Sequence, residues 1–219
     1  MLYIVATPIG NLADITLRAL DVLRSVDLIA CEDTRQTKKL LSRYQIKKPL
    51  TSYYEHNKLS KGDYLIRLLK EGKTIALVSD SGTPGISDPG FHIVKLALEN
   101  SIRVSPIPGA CALTTALSVS GIPANRFIFE GFLPIKAGPR KKKLLELSRH
   151  KKTIVLYESP YRFLRLLDEI KEVFGEIELT IAREVTKKFE EIKKGKIDFI
   201  IEYYNNKKIK GEFVLILNN

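Results

Sequence analysis

Short apolar runs along this chain alternate with stretches in which apolar residues recur every three or four positions. Residues 2–6, 28–31, 74–79 and 103–105 are short, apolar and followed by turn residues, which predicts strands. Between them Leu17, Leu20, Leu23 and Val26 keep to one face of a helix, as do Leu65, Leu68 and Leu69, and a further helix fits 92–100. This alternation predicts an α/β domain built on a largely parallel sheet. Beyond Gly121 a second set begins, with strands expected at 127–130, 153–157, 177–182 and 213–217 and helices near 141–148, 160–174 and 196–203. The span from Gly121 to Gly138, with Pro123 and Pro134, is the expected junction between two α/β domains, 1–120 and 121–219. No internal repeat is visible, and only 136–143 reads as unstructured.

Composition adds exclusions. Hydrophobic content of 44% and charged content of 28% are those of an ordinary globular protein. No apolar run approaches a membrane span and no secretory pattern opens the chain, so no membrane partner and a cytoplasmic location are expected. Cys31 and Cys111 stand apart, without metal or disulfide spacing, and are expected to be small buried residues. His56, His92 and His150 form no ligand cluster either, so no metal is expected.

Charge changes the picture more. The net charge is +11, and residues 136–152 hold Lys136, Arg140, Lys141, Lys142, Lys143, Arg149, Lys151 and Lys152 against the single acid Glu146. Such a cluster attracts a polyanion through phosphate neutralisation. The plainer alternative is a solvated lysine-rich surface.

Candidate chemistry lies in three loops, each following an expected strand and preceding a helix: residues 6–11 (Ala-Thr-Pro-Ile-Gly-Asn), 79–90 (Ser-Asp-Ser-Gly-Thr-Pro-Gly-Ile-Ser-Asp-Pro-Gly) and 106–112 (Pro-Ile-Pro-Gly-Ala-Cys-Ala). In an open α/β sheet the carboxyl ends of the strands border the ligand crevice. One such loop is ordinary punctuation; three together point to a preformed pocket. None is a Walker-type phosphate cradle or a Gly-x-Gly-x-x-Gly dinucleotide turn, and basic residues are scarce. An adenosine or amino-acid moiety fits better than a pyrophosphate. Asp80 is a candidate for a ribose hydroxyl or an ammonium group, with turn capping as its structural alternative.

A longer series of motifs runs in order through the chain: residues 2–12 (Leu-Tyr-Ile-Val-Ala-Thr-Pro-Ile-Gly-Asn-Leu), Cys31-Glu32-Asp33-Thr34-Arg35, Tyr54-Glu55-His56-Asn57, the 79–90 loop, 106–110, Phe129-Glu130-Gly131-Phe132-Leu133-Pro134 and Tyr157-Glu158-Ser159-Pro160, with Ala182-Arg183-Glu184 and Gly211-Glu212-Phe213 further on. Taken together they closely resemble the ribosomal RNA small subunit methyltransferase I family of the tetrapyrrole methylase superfamily. The resemblance implies two α/β domains of the tetrapyrrole methylase type with S-adenosylmethionine in the interdomain cleft, and a homodimer. It implies methyl transfer to the ribose 2′-oxygen of a cytidine in the decoding region of small-subunit rRNA, with that rRNA or the small ribosomal subunit as partner. Carried over by position, the cofactor residues are Pro8, Ile9, Gly10, Asn11, Asp80, Gly82, Thr83, Pro84, Gly85, Ile86, Pro108, Ala112, Leu113, Tyr157, Ala182 and Phe213.

Departures from the family pattern matter too. Many members continue into a small helical C-terminal domain, whereas this sequence ends at Asn219, so segment 136–152 is expected to carry more of the RNA binding. Tyr161 stands where the family usually has His, and Ala110-Cys111 replaces the commoner Pro-Ser.

Methyl transfer from a sulfonium depends mainly on placing the acceptor in line, with a base to take the hydroxyl proton. The acids and histidine in the motifs are Glu32, Asp33, Glu55, His56, Glu130 and Glu158; Glu130 and Glu158, each at a strand end beside Gly or Ser-Pro, are the leading catalytic candidates. Arg35 and Arg162 are candidate phosphate clamps, with Lys141, Lys142 and Lys143 as further RNA contacts. Tyr53 and Tyr54 are candidates to stack on an extruded base, although their alternation on a strand would leave at least one to packing. Two other functions fit the same loops: methylation of a corrin or porphyrin precursor, which leaves the basic segment unexplained, and a non-catalytic ribosome-assembly factor, whose RNA binding would ignore the cofactor.

Overall fold

Each of the eight apolar runs expected to be strands is one in the computed structural model, which describes all residues from Met1 to Asn219. The chain divides into two units, Met1–Cys111 and Ala112–Asn219. The division falls before helix α5 (Ala112–Val119), not at Gly121, because α5 packs on β10 (Phe213–Asn218) and the Ser120 carbonyl accepts from Thr180 Oγ1 at 2.8 Å.

The first unit is a fully parallel sheet of β1 (Leu2–Val5), β2 (Leu28–Cys31), β3 (Leu50–Ser52), β4 (Ile75–Val78) and β5 (Val104–Ile107), in the order β3-β2-β4-β1-β5. Alternating side chains divide between two cores. Val5, Ile29, Cys31, Ala76 and Val78 meet α1 (Leu17–Ser25) and α2 (Thr34–Arg43) through Ala19, Leu20, Leu23 and Leu41. Leu2, Ala30, Ile75 and Leu77 meet α3 (Lys58–Lys70) and α4 (Gly90–Glu99) through Leu65, Ile66, Leu69, Ile93 and Ala97. From β1 the chain crosses over to β2, while from β4 it crosses the other way to β5. Helices α1 and α4 thus lie on opposite faces, and the segments leaving β1 and β4 diverge at the carboxyl edge. That is the switch point at which open α/β sheets hold ligands.

The second unit is a mixed sheet, β6 (Phe127–Phe132), β7 (Thr153–Glu158), β10, β8 (Glu178–Arg183) and β9 (Glu191–Lys196), in which only β6 and β7 run parallel. Its core joins these strands to α6 (Ala137–Leu147), α7 (Phe163–Phe174) and α8 (Ile197–Asn205), with Phe163 stacked on Phe213 at 4.0 Å between ring centres.

Three elements lie outside the periodic signal. Helix α2 is mostly polar and buries only Thr37, Leu40 and Leu41. Strand β3 is three residues at a sheet edge, and β9 is Glu-Ile-Lys-Lys-Gly-Lys, a charged edge strand held by its ladder to β8. No helix is long and apolar enough to cross a membrane. Cys31 is buried as expected, whereas Cys111 is only partly so.

The basic segment requires a correction. Residues 136–143, expected to lack structure, lead into and form the first turns of α6. Arg140 is 2% exposed and grips Glu169 of α7 through two bonds of 2.5 and 2.7 Å, with a further bond to the Ile135 carbonyl at 2.6 Å. Lys141 pairs with Glu172, and Lys143 with Glu130 and Glu146 at 3.3 and 3.1 Å. Acids distant in sequence thus neutralise part of a surplus that looks uncompensated along the chain. The buried pair holds the Glu169 carboxyl below its ordinary range, chiefly through the Arg140 hydrogen bonds, so its stabilisation is present at neutral pH and fades as pH falls through the carboxylate range. Breaking one side of a buried pair leaves the other charge uncompensated. Arg140→Met is therefore expected to cost about 3 kcal/mol, near the lower end for such pairs because Arg165 still reaches Glu169 at 3.1 Å; urea denaturation of the two proteins measures it.

Candidate active site

The three loops meet at the switch point and are tied by their own backbone. Thr7 N donates to the Gly82 carbonyl at 2.9 Å and Gly82 N returns a bond to the Thr7 carbonyl at 3.1 Å, an isolated antiparallel bridge between the first and middle loops. The Thr7 hydroxyl, buried, adds a bond to the Ser79 carbonyl at 3.1 Å, and Ser79 Oγ bonds the Gly82 carbonyl at 3.2 Å. Thr83 Oγ1 donates to the Ala110 carbonyl at 3.1 Å, joining the middle loop to the third. Gly82 has φ +86°, which side chains with a Cβ rarely adopt. At Gly109 a Cβ would come within 3.0 Å of the Ala6 Cβ, so the third loop lies directly on the first.

This weld sorts the expected cofactor residues. Pro8, Ile9, Gly82 and Pro84 are buried in the backs of the loops, while Gly10, Asn11, Asp80, Gly85, Ile86 and Pro108 are exposed. Asn11 Oδ1 accepts from Ala13 N at 3.1 Å and so caps a short turn, Leu12–Asp14. Asp80 does not cap its own turn: Oδ1 accepts from Asp33 N at 3.0 Å and holds the start of α2. Asp33 in turn caps α2 through Arg35 N at 2.8 Å and clasps the Arg35 guanidinium at 2.7 Å, hydrogen bonds that hold its carboxyl down at about 2. Arg35, a candidate phosphate clamp, is thus tied to an acid although still largely exposed.

The loops contain no Lys or Arg; their charges are Asp80 and Asp88. Beside them, at the carboxyl end of β2, stands Glu32. Burial pushes its carboxyl up to about 7, with the negative fields of Asp88 and Asp80 adding to the shift. Asp88 is raised as well, mainly by burial, although its Oδ1 accepts from Gly90 N at 2.7 Å. Of the tyrosine pair, Tyr53 is 1% exposed and its hydroxyl meets His92 Nδ1 at 3.2 Å, so it packs; Tyr54 is 42% exposed with its ring edge toward His56.

In the second unit the register aligns Tyr157 with Val214 and Ala182, and Glu158 with Phe213 and Arg183, so these expected residues meet at one end of that sheet. Ala182 and Phe213 are buried there, as is Leu113 of α5, while Ala112 is partly exposed. The Tyr157 ring lies edge-on to Phe129 and Phe132. Glu158 has a fully buried side chain. Its Oε1 accepts from Ser159 N at 2.6 Å and from Arg162 Nε at 2.8 Å, whereas Oε2 is buried without a partner. Arg162 also bonds the Leu133 carbonyl at 3.1 Å. Glu130 is the extra residue of a β-bulge between Phe129 and Gly131 and pairs with Lys143 at 3.3 Å. Both leading catalytic candidates are therefore ion-paired, and Arg162 is committed to one of them. Tyr161 is 96% exposed.

Glycine- and proline-rich loops without Lys or Arg at the switch point of a parallel sheet, together with a second, mixed sheet, define the class. The family described as Tetrapyrrole (Corrin/Porphyrin) Methylases matches residues 1–200. A crystal structure of uroporphyrin-III C-methyltransferase from Thermus thermophilus, complexed with S-adenyl homocysteine, superposes with a TM-score of 0.68 at 16% identity, covering 100% of this chain and 97% of that one. "Ribosomal RNA small subunit methyltransferase I" of Bacillus subtilis (strain 168) is 50% identical over 99% of this chain and 74% of its own length. The protein of that name from Thermotoga maritima is 48% identical over 99% of this chain and 97% of its own length. The chain belongs to the ribosomal RNA small subunit methyltransferase I family.

The raised Glu32 carboxyl has a measurable consequence. Between the ordinary carboxylate range and about pH 7 the folded chain keeps a proton that the unfolded chain has released, so stability falls as pH rises through that window. Glu32→Gln removes the penalty. The variant is expected to melt above the wild type at pH 8 and together with it near pH 5, in paired thermal melts; the reverse order at pH 8 would contradict the burial of this carboxylate.

Proposed function

We propose that this chain transfers a methyl group from S-adenosylmethionine to small-subunit rRNA, at the ribose 2′-oxygen of a cytidine in the decoding region. The observation that carries the cofactor half is the welded pocket. The exposed residues of these loops are glycines, prolines, small polar side chains, Ile86 and the Asp80 carboxylate, with no Lys or Arg. That donor set suits a ligand with a cationic sulfonium and ammonium and an uncharged adenosine, and it disfavours a pyrophosphate. The rRNA half is supported by the half-identity to relatives bearing that name and by the net charge of +11.

Bound S-adenosylmethionine would supply an activated methyl group whose leaving thioether is neutral. The chain's own part is then positioning and proton management. Gly82, Thr83, Pro84, Gly85 and Ile86, with Pro8, Ile9, Gly10 and Asn11 on one side and Pro108 on the other, form the seat, and the Thr7–Gly82 bridge keeps it in shape before any ligand arrives. Asp80 spends one oxygen on α2 and leaves its charge at the rim. Among the acids, Glu32 makes no ion pair and holds a pKa near neutrality, the value best matched to accepting a hydroxyl proton. It therefore takes precedence over Glu130 and Glu158, whose Oε1 atoms are paired with Lys143 and Arg162. A homodimer acting on the assembled small subunit in the cytoplasm completes the reading.

The test is direct. Purified protein is incubated with methyl-labelled S-adenosylmethionine and small subunits from a strain lacking the enzyme, and the rRNA is digested and resolved by mass spectrometry. One label per subunit on a cytidine 2′-oxygen is expected. Label on a base, or none in rRNA with label in a corrin or porphyrin precursor, would overturn the assignment.

A further inference from the structure

Residues 34–50 carry Arg35, Lys38, Lys39, Arg43, Lys47 and Lys48 and no acid. The fold wraps part of this stretch around a groove of 880 Å³ at the β3 edge of the first sheet. One face of α2, bearing Thr34, Arg35, Lys38, Leu41 and Ser42, makes one wall, and the turn into β3 from Ile46 to Leu50 makes the other. Leu41 and Ile46 are 3% and 6% exposed, so they form an apolar floor beneath a cationic rim. The rim is not compensated as α6 is. Lys38, Lys47 and Lys48 enter no ion pair, and Arg35 alone answers an acid, Asp33. Asp27 is the acid whose field reaches Lys48, and Thr74 holds its carboxylate through bonds of 2.7 and 2.8 Å.

The groove also begins beside the middle loop. Its upper end is Thr34, and the preceding residue, Asp33, is bound through its amide to Asp80 of the middle loop. Helix α2 spans ten residues, about 15 Å, which makes the groove a track leading away from the loops.

We propose that this α2–β3 groove binds the sugar–phosphate backbone of the RNA substrate, with Lys38, Lys47 and Lys48 neutralising successive phosphates. The inference rests on the rRNA reading above and names the surface that reading requires. Concavity favours RNA over a membrane: a lipid-binding face needs apolar side chains projecting beyond the lysines, and here Leu41 and Ile46 lie buried beneath them. The groove also differs from the α6 segment, where Arg140, Lys141 and Lys143 are held by Glu169, Glu172, Glu130 and Glu146.

The experiment compares wild type, a groove variant (Lys38→Gln, Lys47→Gln, Lys48→Gln) and an α6-side variant (Lys142→Gln, Lys151→Gln, Lys152→Gln). Filter binding to transcribed full-length small-subunit rRNA is measured across a salt series, with S-adenosylmethionine affinity by calorimetry on each protein. The groove variant is expected to bind rRNA at least about tenfold more weakly near 0.1 M salt, and its slope of log affinity against log salt should flatten by about 2, one phosphate contact per lysine. Its cofactor affinity should stay at the wild-type value, and the α6-side variant should lose less. Unchanged rRNA affinity and slope in the groove variant would overturn the proposal. So would wild-type binding to phosphatidylglycerol vesicles that the groove variant loses while its rRNA binding persists. If wild type methylates rRNA while the groove variant binds it normally, only the groove assignment fails; if wild type neither binds nor methylates rRNA, the rRNA reading fails with it.

Discussion

Two backbone hydrogen bonds between Thr7 and Gly82 hold the rest of the site in place. They join the loops leaving β1 and β4, the strands whose connections depart to opposite faces of the sheet. Without that bridge the loops would diverge, because each is drawn toward its own helix and its own core. With it, the middle loop is anchored on one side by Thr7 and Ser79 and on the other by Thr83 on Ala110. Hydroxyl-to-carbonyl bonds from Thr7, Ser79 and Thr83 add to the backbone pair, so the loops are held by a short network of main-chain and hydroxyl hydrogen bonds. A pocket made this way is preorganised, and ligand binding need not order the loops.

Electrostatics then divides the first unit by region. The loops and the end of β2 collect Asp80, Asp88 and Glu32, and the burial of Glu32 raises its carboxyl toward neutrality. A short step away, α2 and the turn into β3 collect lysines with no acid among them. Asp33 sits at the boundary, taking the Arg35 guanidinium to itself and giving its amide to Asp80. The acidic end of β2 and the lysine-rich stretch that begins with α2 thus meet at Asp33.

Much of this was legible in the sequence, for physical reasons. Strands buried on both faces are short apolar runs, and all eight of those expected appear; the three Gly/Pro-rich loops mark the carboxyl ends of β1, β4 and β5. Elements held by tertiary contacts were not legible: β9 is charged along its length, and α2 has too few apolar positions to show a period. Charge was misjudged for a related reason. The surplus in 136–152 was counted along the chain, where only Glu146 opposes it, but folding brings Glu169 and Glu172 of α7 and Glu130 of the β6 bulge against it. The acid-free run 34–50 drew no attention beside it, although folding brings no ion-pair partner to Lys38, Lys47 or Lys48. For the candidate acids, a strand-end position could not reveal that Glu158 is clasped by Arg162 or that Glu32 is left without an ion pair.

The central claim is that the welded loops at the switch point are the cofactor seat. A crystal structure of the chain grown with S-adenosylhomocysteine tests it most directly. The account predicts the ligand against residues 82–86, with Pro8 and Pro108 in van der Waals contact and the Thr7–Gly82 bridge intact. A ligand bound away from these loops, or one that enters only after the bridge has opened, would contradict it.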